Sequence, residues 1–332
     1  MRTLVWVIGE GGLLGSHVRS QLSEEMPGGS PWQRSGPRLP WQQPELLEPT
    51  LKRELDAFFG SARAGFDAWA ILWCAGAGVL QTSAAALSAE TATFERFLSN
   101  VGVTFAVRGR RVPGVVSLAS SAGSVYGIPV DGPLTEDTPC HPISEYGRAK
   151  LQQEIALRAC FEGIPDVGWL IGRFSTLYGT GQNLAKPQGV ISQMVRTLLF
   201  HRPLRVYVPL DTQRDFLYAR DAACHLLRCL THLLSTPMST PGRALKIFAT
   251  GRSVALSEIV ALLRRVAKQP VRILTPPSPR RVVQPAKLVF RSVALDHVRL
   301  PPATNLAVGV AAVYHHQLCL FQRGLLPPPS AA

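Results

Sequence analysis

Three glycines recur at every third position, Gly9, Gly12 and Gly15, directly after the apolar run Thr3-Leu-Val-Trp-Val-Ile. Few folds accept that arrangement. The run has strand length, and glycine at its end lets the chain turn sharply with no Cβ in the way. Gly9 permits the tight turn, Gly12 lets backbone come close to a bound phosphate, and Gly15 lets the next helix pack against the strand. The segment from about Leu13 to Ser23 is amphipathic, so the pattern predicts strand, turn and helix, with Leu13 and Leu14 opening the helix. A helix begun this way aims its first amides at an anion.

The spacing G-x-x-G-x-x-G is a relative of the dinucleotide-binding fingerprint, which makes Gly9, Gly12, Leu13, Leu14 and Gly15 candidate cofactor contacts. A second pattern lies farther along. Tyr146 and Lys150 stand four apart in Ser-Glu-Tyr-Gly-Arg-Ala-Lys, about 25 residues after a small-residue strand end that carries Ser120 and Ser121. Four residues is just over one helical turn, so both side chains leave one face of a helix. A phenol alone titrates near pH 10. An ammonium beside it, and a cationic nicotinamide ring beyond that, favour the phenolate, so the pair can take a proton from a hydroxyl while hydride leaves the same carbon.

With both patterns in view, the chain resembles the extended short-chain dehydrogenase/reductase group, specifically the NAD-dependent epimerase/dehydratase family that acts on nucleotide sugars. The resemblance runs nearly end to end. Asp67-Ala-Trp-Ala-Ile-Leu-Trp-Cys-Ala-Gly76 looks like the family's fourth strand, which places Cys74, Ala75 and Gly76 against the cofactor. Asn100-Val101-Gly102 resembles the helix that carries a structural, proton-relay Asn. Ser117 to Gly127 looks like the strand with the catalytic hydroxyl, and Glu136-Asp-Thr-Pro leads toward the Tyr146 helix. Gly172 to Gln182 looks like the sixth strand and its loop, with Ser175 at the cofactor. Gln213-Arg-Asp-Phe-Leu-Tyr-Ala-Arg-Asp resembles the motif whose arginine, here Arg214, reaches the substrate's phosphates. The resemblance implies an α/β fold: a doubly wound parallel sheet (Rossmann) with a smaller C-terminal substrate lobe.

Three departures bear on the chemistry. The stretch from Met26 to Trp41, where the family often holds an acidic residue for the adenosine ribose, has no Asp or Glu, and its prolines argue against a central strand. Arg34 falls 25 positions after Gly9, and a guanidinium there suits a 2′-phosphate; the cofactor expected is NAD or NADP, with Arg34 tilting toward NADP. Counting back from Tyr126 puts the catalytic hydroxyl at Ala122, whereas counting back from Tyr146 puts it at Ser121. Ser121 is the first choice and Ser120 the second. Between Asp67 and Asp131 the only carboxylates are Glu90 and Glu95, on an earlier helix, which disfavours a dehydratase because elimination needs a nearby acid and base. What remains is hydride chemistry, in a 4-epimerase or a keto-sugar reductase. A non-catalytic NAD(P)-binding redox sensor or partner subunit is the alternative; the Tyr146–Lys150 pair and Arg214 argue against it.

Length and charge narrow the setting. At 332 residues and 46% hydrophobic, the chain can bury an α/β core plus a second lobe. Residues 1–179 are expected to form the cofactor domain and 180–326 the substrate lobe, with about 214–234 returning to the first domain and 327–332 a disordered tail. Only six of 35 basic residues are lysine in a net charge of +13. These charges form no basic helix or aromatic-interleaved patch, so nucleic acid is not an expected partner, while Arg196, Arg202, Arg205 and Arg214 suit a diphosphate. No apolar run reaches membrane-spanning length. Six cysteines without C-x-x-C spacing predict free thiols, no metal site and a cytoplasmic protein. A homodimer through Thr91–Val107 and Ser144–Phe161 is an expectation from the resemblance.

Overall fold

The amino-terminal apolar run forms strand β1 (Thr3–Ile8), all six residues buried, in the computed structural model, which describes residues 1–23, 32–36, 39–109, 112–127, 132–186, 188–235, 242–275 and 285–329. After the glycine turn come α1 (Leu13–Ser23), β2 (Trp32–Ser35), α2 (Pro44–Gly65), β3 (Ala68–Trp73) and α3 (Ala84–Thr104), which ends in a π-helical turn, Phe105–Gly109. The chain continues through β4 (Gly114–Ser121), the one-turn α4 (Ala122–Val125), α5 (Glu145–Phe161), β5 (Val167–Phe174), β6 (Thr176–Tyr178), α6 (Val190–Leu199), β7 (Leu204–Arg205) and β8 (Gln213–Tyr218). It closes with α7 (Ala219–Ser235), β9 (Arg243–Phe248), β10 (Ser253–Ala255), α8 (Leu256–Ala267), β11 (Ile273–Leu274) and α9 (Leu306–Gln322).

Six strands pair in parallel in the order β2-β1-β3-β4-β5-β9. Parallel strands are covered on both faces, which is why β1 and β3 read as unbroken apolar runs. Alternation then sorts the side chains. Leu4, Trp6 and Ile8 of β1, with Trp69, Ile71 and Trp73 of β3, join Phe58 and Phe59 of α2 and Phe94 and Phe97 of α3 in one layer. Val5, Val7, Ala68, Ala70 and Leu72 face the other way, toward Leu14 and Val18 of α1 and Ala222 and Leu226 of α7. The first layer is thick with rings, Trp73 and Phe97 tilted against each other at 4.8 Å between centroids, while alanines line the second, on the side of α1 and α7. Gly114 serves the thick layer: a Cβ there would lie 2.1 Å from the Trp69 ring.

The proline-rich second strand is real but sits at the sheet's edge, with Thr3 to Trp6 of β1 opposite Trp32 to Ser35. An edge is where a strand flanked by prolines can be tolerated. Much of the surrounding stretch, including Arg38, lies outside the described residues, as does the side chain of Arg34.

A smaller lobe stands on the strand ends. Its sheets are β10-β8-β6 and β11-β7, and its core joins Ile191 and Val195 of α6, Ile259 and Leu263 of α8, and Val310 and Val313 of α9. Helix α7 packs on the main sheet, as expected of about 214–234, whereas β8 from the same stretch pairs with β10 and β6 in the lobe. The departure is β9, which pairs with β5 as the sixth strand, so the segment from Leu245 leaves the lobe to which 180–326 had assigned it. At the carboxyl end Leu326 is buried and the Pro329 carbonyl accepts a hydrogen bond from Arg202 at 3.1 Å; residues 330–332 lie outside the described residues. No helix among the described residues is long and apolar enough to cross a membrane.

Candidate active site

Strand order reverses between β1 and β3, and in an open α/β sheet that reversal leaves a crevice beyond the carboxyl ends of the strands. Backbone meets backbone there. Gly9 has φ +91°, and a Cβ on it would lie 2.4 Å from the Ala75 nitrogen. A Cβ on Gly15 would lie 2.3 Å from the Gly9 carbonyl oxygen, so helix α1 presses directly on the turn. The Gly12 amide donates to that same carbonyl at 2.9 Å, closing the turn ahead of Leu13, which is half-buried, and Leu14, which is buried.

Against the turn after β3, at Gly76 and Gly78, lies α5, whose first turn is capped by Ser144 accepting from the Gly147 amide at 3.0 Å. The Lys150 ammonium stands 5.9 Å from the centroid of the Tyr146 ring. Lys150 is buried, donates to Gln153 Oε1 at 3.1 Å and to the Ala119 carbonyl at 3.4 Å, and lies 4.0 Å from Glu90 Oε1. Burial draws its pKa down, while Glu90 and Glu154 draw it up. The Tyr146 hydroxyl stands above its ordinary range, because burial disfavours the phenolate and Glu90 repels it. Part of the lysine's charge is answered by that carboxylate, so the nicotinamide cation that the sequence reading set beside Lys150 carries the more weight.

The two serines part company. Ser120 donates to Glu154 Oε1 at 2.5 Å, and Glu154 also receives the fork of Arg173 at 2.7 Å, all of it buried. That hydroxyl is committed to a buried ion pair, which corrects its place as a second catalytic candidate. Ser121, half-buried at the end of β4, has a longer bond of 3.2 Å to Ser124 Oγ and can exchange it. Ala122 is fully buried and carries no hydroxyl.

Asn100 does not reach the site. Helices α3 and α5 run side by side in parallel: Thr91 accepts from Gln153, Glu95 from Gln152 at 2.9 Å, and the Leu98 carbonyl from Cys160. Asn100 lies nine residues past Thr91, about 13 Å along the axis at 1.5 Å per residue, beside the far end of α5. The α3 residues at the level of Lys150 are Glu90 and Thr91, which motif matching missed. One signal existed for Thr91, a polar residue inside the buried stripe Leu87, Phe94, Leu98 and Val101.

The remaining candidates line the crevice or leave it. Burial pushes the Cys74 thiol up to about 12, so it packs as a neutral side chain. A Cβ on Gly76 would lie 3.1 Å from Glu90 Oε1 and 3.6 Å from Lys150 Nζ. Ser175 is buried, and its hydroxyl has no partner among the described residues. Arg214 donates to the Gln213 and Pro285 carbonyls at 2.8 and 2.9 Å. Asp215 orients the turn after β9, accepting from the Thr250 and Arg252 amides. Arg196 donates to the Leu184 carbonyl and Gln193, and Arg202 to the Pro329 carbonyl, so these two brace the lobe, while Arg205 is exposed on β7.

A model of the NAD dependent epimerase/dehydratase family matches residues 5–238. The UDP-glucose 4-epimerase of Mycolicibacterium smegmatis is 27% identical over 143 residues, 42% of this chain and 45% of that protein. The dTDP-4-dehydro-6-deoxyglucose reductase of Escherichia coli is 31% identical over 106 residues, 32% of this chain and 33% of the reductase. The matched stretches span less than half the length of either relative. The UDP-glucuronic acid 4-epimerase of Bacillus cereus, solved in complex with UDP-glucuronic acid and NAD, has the same fold: TM-score 0.72 at 17% identity, covering 95% of this chain and 98% of that one. Because the matched span carries the chain from β1 through α7, glycine turn and Tyr146 helix included, the protein belongs to the NAD-dependent epimerase/dehydratase family.

Proposed function

We propose that the protein is an NAD(P)-dependent epimerase or keto-sugar reductase that works on a sugar hydroxyl or keto group, with a nucleotide sugar as the substrate class. One observation carries this reading. The glycine turn, the turn after β3, and the Tyr146–Lys150 pair converge, with Gly9 against Ala75, Gly76 against Lys150 and Gly78 against the Tyr146 ring. Three stretches far apart in sequence share one crevice.

The residues present fit a dinucleotide. Gly9, Gly12 and Gly15 leave backbone bare where a pyrophosphate approaches, the start of α1 favours negative charge, and the buried Ser175 hydroxyl offers a donor with no other use among the described residues. When bound, NAD(P) would accept hydride from the sugar carbon or return it. Tyr146 would take the proton of the reacting hydroxyl or give it back, and Ser121 would hold that oxygen in place. Lys150 would stabilise the phenolate and hold ribose hydroxyls. Arg214 would grip a diphosphate, giving binding energy remote from the reacting carbon. Elimination chemistry gains little from Glu90, whose carboxylate is tied by the Ala77 and Gly78 amides.

Arg34 of β2, opposite Val5, favours NADP at the adenosine end. Measured affinities should favour NADP over NAD, and Arg34→Ala should reduce that preference about tenfold; equal NADP affinity in both proteins removes Arg34 from the site. Helices α3 and α5 support a homodimer, with Val103 and Ile155 exposed along them and Val107 on the π-helical turn; light scattering in solution tests it.

A non-catalytic NAD(P)-binding sensor draws on the shifted serine motif and on a second strand with no acidic residue for the ribose. Purified protein given nucleotide sugars and either cofactor separates the readings. Turnover that vanishes in Tyr146→Phe supports the enzyme, and cofactor binding without turnover across a broad panel supports the sensor. Among enzymes, tightly retained oxidised cofactor marks an epimerase, and freely exchanging reduced cofactor a reductase.

A further inference from the structure

Glu90 belongs to the first half of α3, yet its carboxylate lies in the cleft with Tyr146 and Lys150. Oε2 accepts from the Ala77 amide at 2.8 Å and the Gly78 amide at 3.0 Å. Oε1 lies 4.0 Å from the Lys150 ammonium, and the side chain is only 18% exposed. A Cβ on Gly78 would stand 3.5 Å both from Glu90 Oε2 and from the Tyr146 ring. One carboxylate therefore touches the cofactor-facing turn and the lysine, and borders the tyrosine. A buried charge persists only when it is hydrogen-bonded and paired, and here two amides and an ammonium do both.

We infer that Glu90 is a positioning residue of this centre: it ties the turn after β3 to Lys150, and its charge governs how readily the Tyr146 hydroxyl releases its proton. The inference deepens the proposed function and rests on Tyr146 and Lys150 being the proton-transferring pair.

The charged and titratable neighbours can be named by element. Helix α5 contributes Tyr146, Lys150 and Glu154, β3 contributes Cys74, and the loop after β6 contributes Lys186, whose ammonium donates to the Gly76 carbonyl at 3.1 Å. Glu154 is neutralised by Arg173, and burial keeps the Cys74 thiol protonated. Glu90 is thus the carboxylate whose charge Tyr146 faces. Removing that charge lowers the proton affinity of tyrosine and lysine alike, since a nearby anion raises both.

The test begins with NADH and NADPH binding to the wild type, read by nucleotide fluorescence. Tyrosinate absorbance is then titrated in the presence of saturating NAD or NADP. The wild type minus Tyr146→Phe gives the Tyr146 midpoint, and the same subtraction is made for Glu90→Gln and Glu90→Asp. Glu90→Gln, which keeps an acceptor for the two amides, should move the midpoint toward acid by about one pH unit. Glu90→Asp keeps the charge but shortens the reach, so it should hold the midpoint and weaken nucleotide affinity about tenfold. Wild-type binding with an unmoved midpoint in Glu90→Gln overturns the role of Glu90 alone. Equal loss of affinity in both variants with no shift shows a structural prop and overturns it too. A wild type that binds neither nucleotide overturns the functional reading, and this inference with it.

Discussion

The two walls of the crevice are built by opposite means. On the β1 side the wall is backbone: Gly9, Gly12 and Gly15 contribute no side chains, and their value lies in what a Cβ would obstruct. On the α5 side the wall is side chain: Tyr146 and Lys150 from α5, Glu90 and Thr91 from α3, and Ser121 from β4. The backbone wall excludes a Cβ at Gly9 and Gly15 but needs no partner. A side-chain wall depends on the charges and hydrogen bonds of its neighbours, so each of its members changes the others.

The largest expected effect falls on the side-chain wall. Tyr146→Phe should cut turnover about 100- to 10,000-fold while nucleotide affinity, read by fluorescence, stays within about twofold. Untouched turnover would take the tyrosine out of the chemistry. Next come the serines. Ser121→Ala should cost about 100-fold in kcat with little change in nucleotide affinity. Ser120→Ala should leave kcat within about twofold and cost about 1 kcal/mol of stability, since its hydroxyl serves the Glu154–Arg173 pair. The reverse ranking would mean that β4 presents the other residue to the substrate.

The backbone wall breaks differently. Gly9→Ala should destabilise the fold by about 2–3 kcal/mol in denaturant titrations and abolish nucleotide binding, because both its φ of +91° and its closeness to Ala75 exclude a side chain. Gly11→Ala, with nothing within 4 Å of the added carbon, should stay within about 0.5 kcal/mol of wild type. A matching loss at both sites would show that the turn is sensitive for a reason other than close approach.

The smallest effect is a pH dependence at the edge of the same wall. His17 of α1 meets the Thr180 carbonyl at 3.1 Å, and burial depresses its pKa below 6.5. A histidine depressed in the folded state binds fewer protons there than when unfolded. Its stabilising contribution is present above 6.5 and lost as pH falls through the folded value. Melting temperature should therefore fall on acidification from about pH 7 to about pH 5, and less steeply in His17→Gln. His225, also depressed by burial, keeps the slope from vanishing.

Legibility followed the same division. The glycine turn, β1 and the start of α1 were readable because every contact that defines them lies within a few residues. Tyr146 and Lys150 were readable because helical spacing alone places them on one face. Asn100 was misplaced because motif matching supplied a residue without the register of α3 against α5, which Thr91, Glu95 and Leu98 set. The segment at Leu245 went to the wrong lobe for a related reason: strand pairing with β5 is a long-range choice that its own residues do not announce.

Local spacing and periodicity sufficed for the glycine turn after β1 and for the helix that carries Tyr146 and Lys150, since those follow from steric and helical rules that act over one or two turns. Only the folded arrangement decided that Glu90 sits beside Lys150, that Ser120 is spent on Glu154 while Ser121 is not, and that burial and Glu90 together draw the Tyr146 pKa above its ordinary value. Those outcomes are electrostatic. They depend on distances of about 3 to 4 Å between groups far apart along the chain, in a setting where burial magnifies every charge.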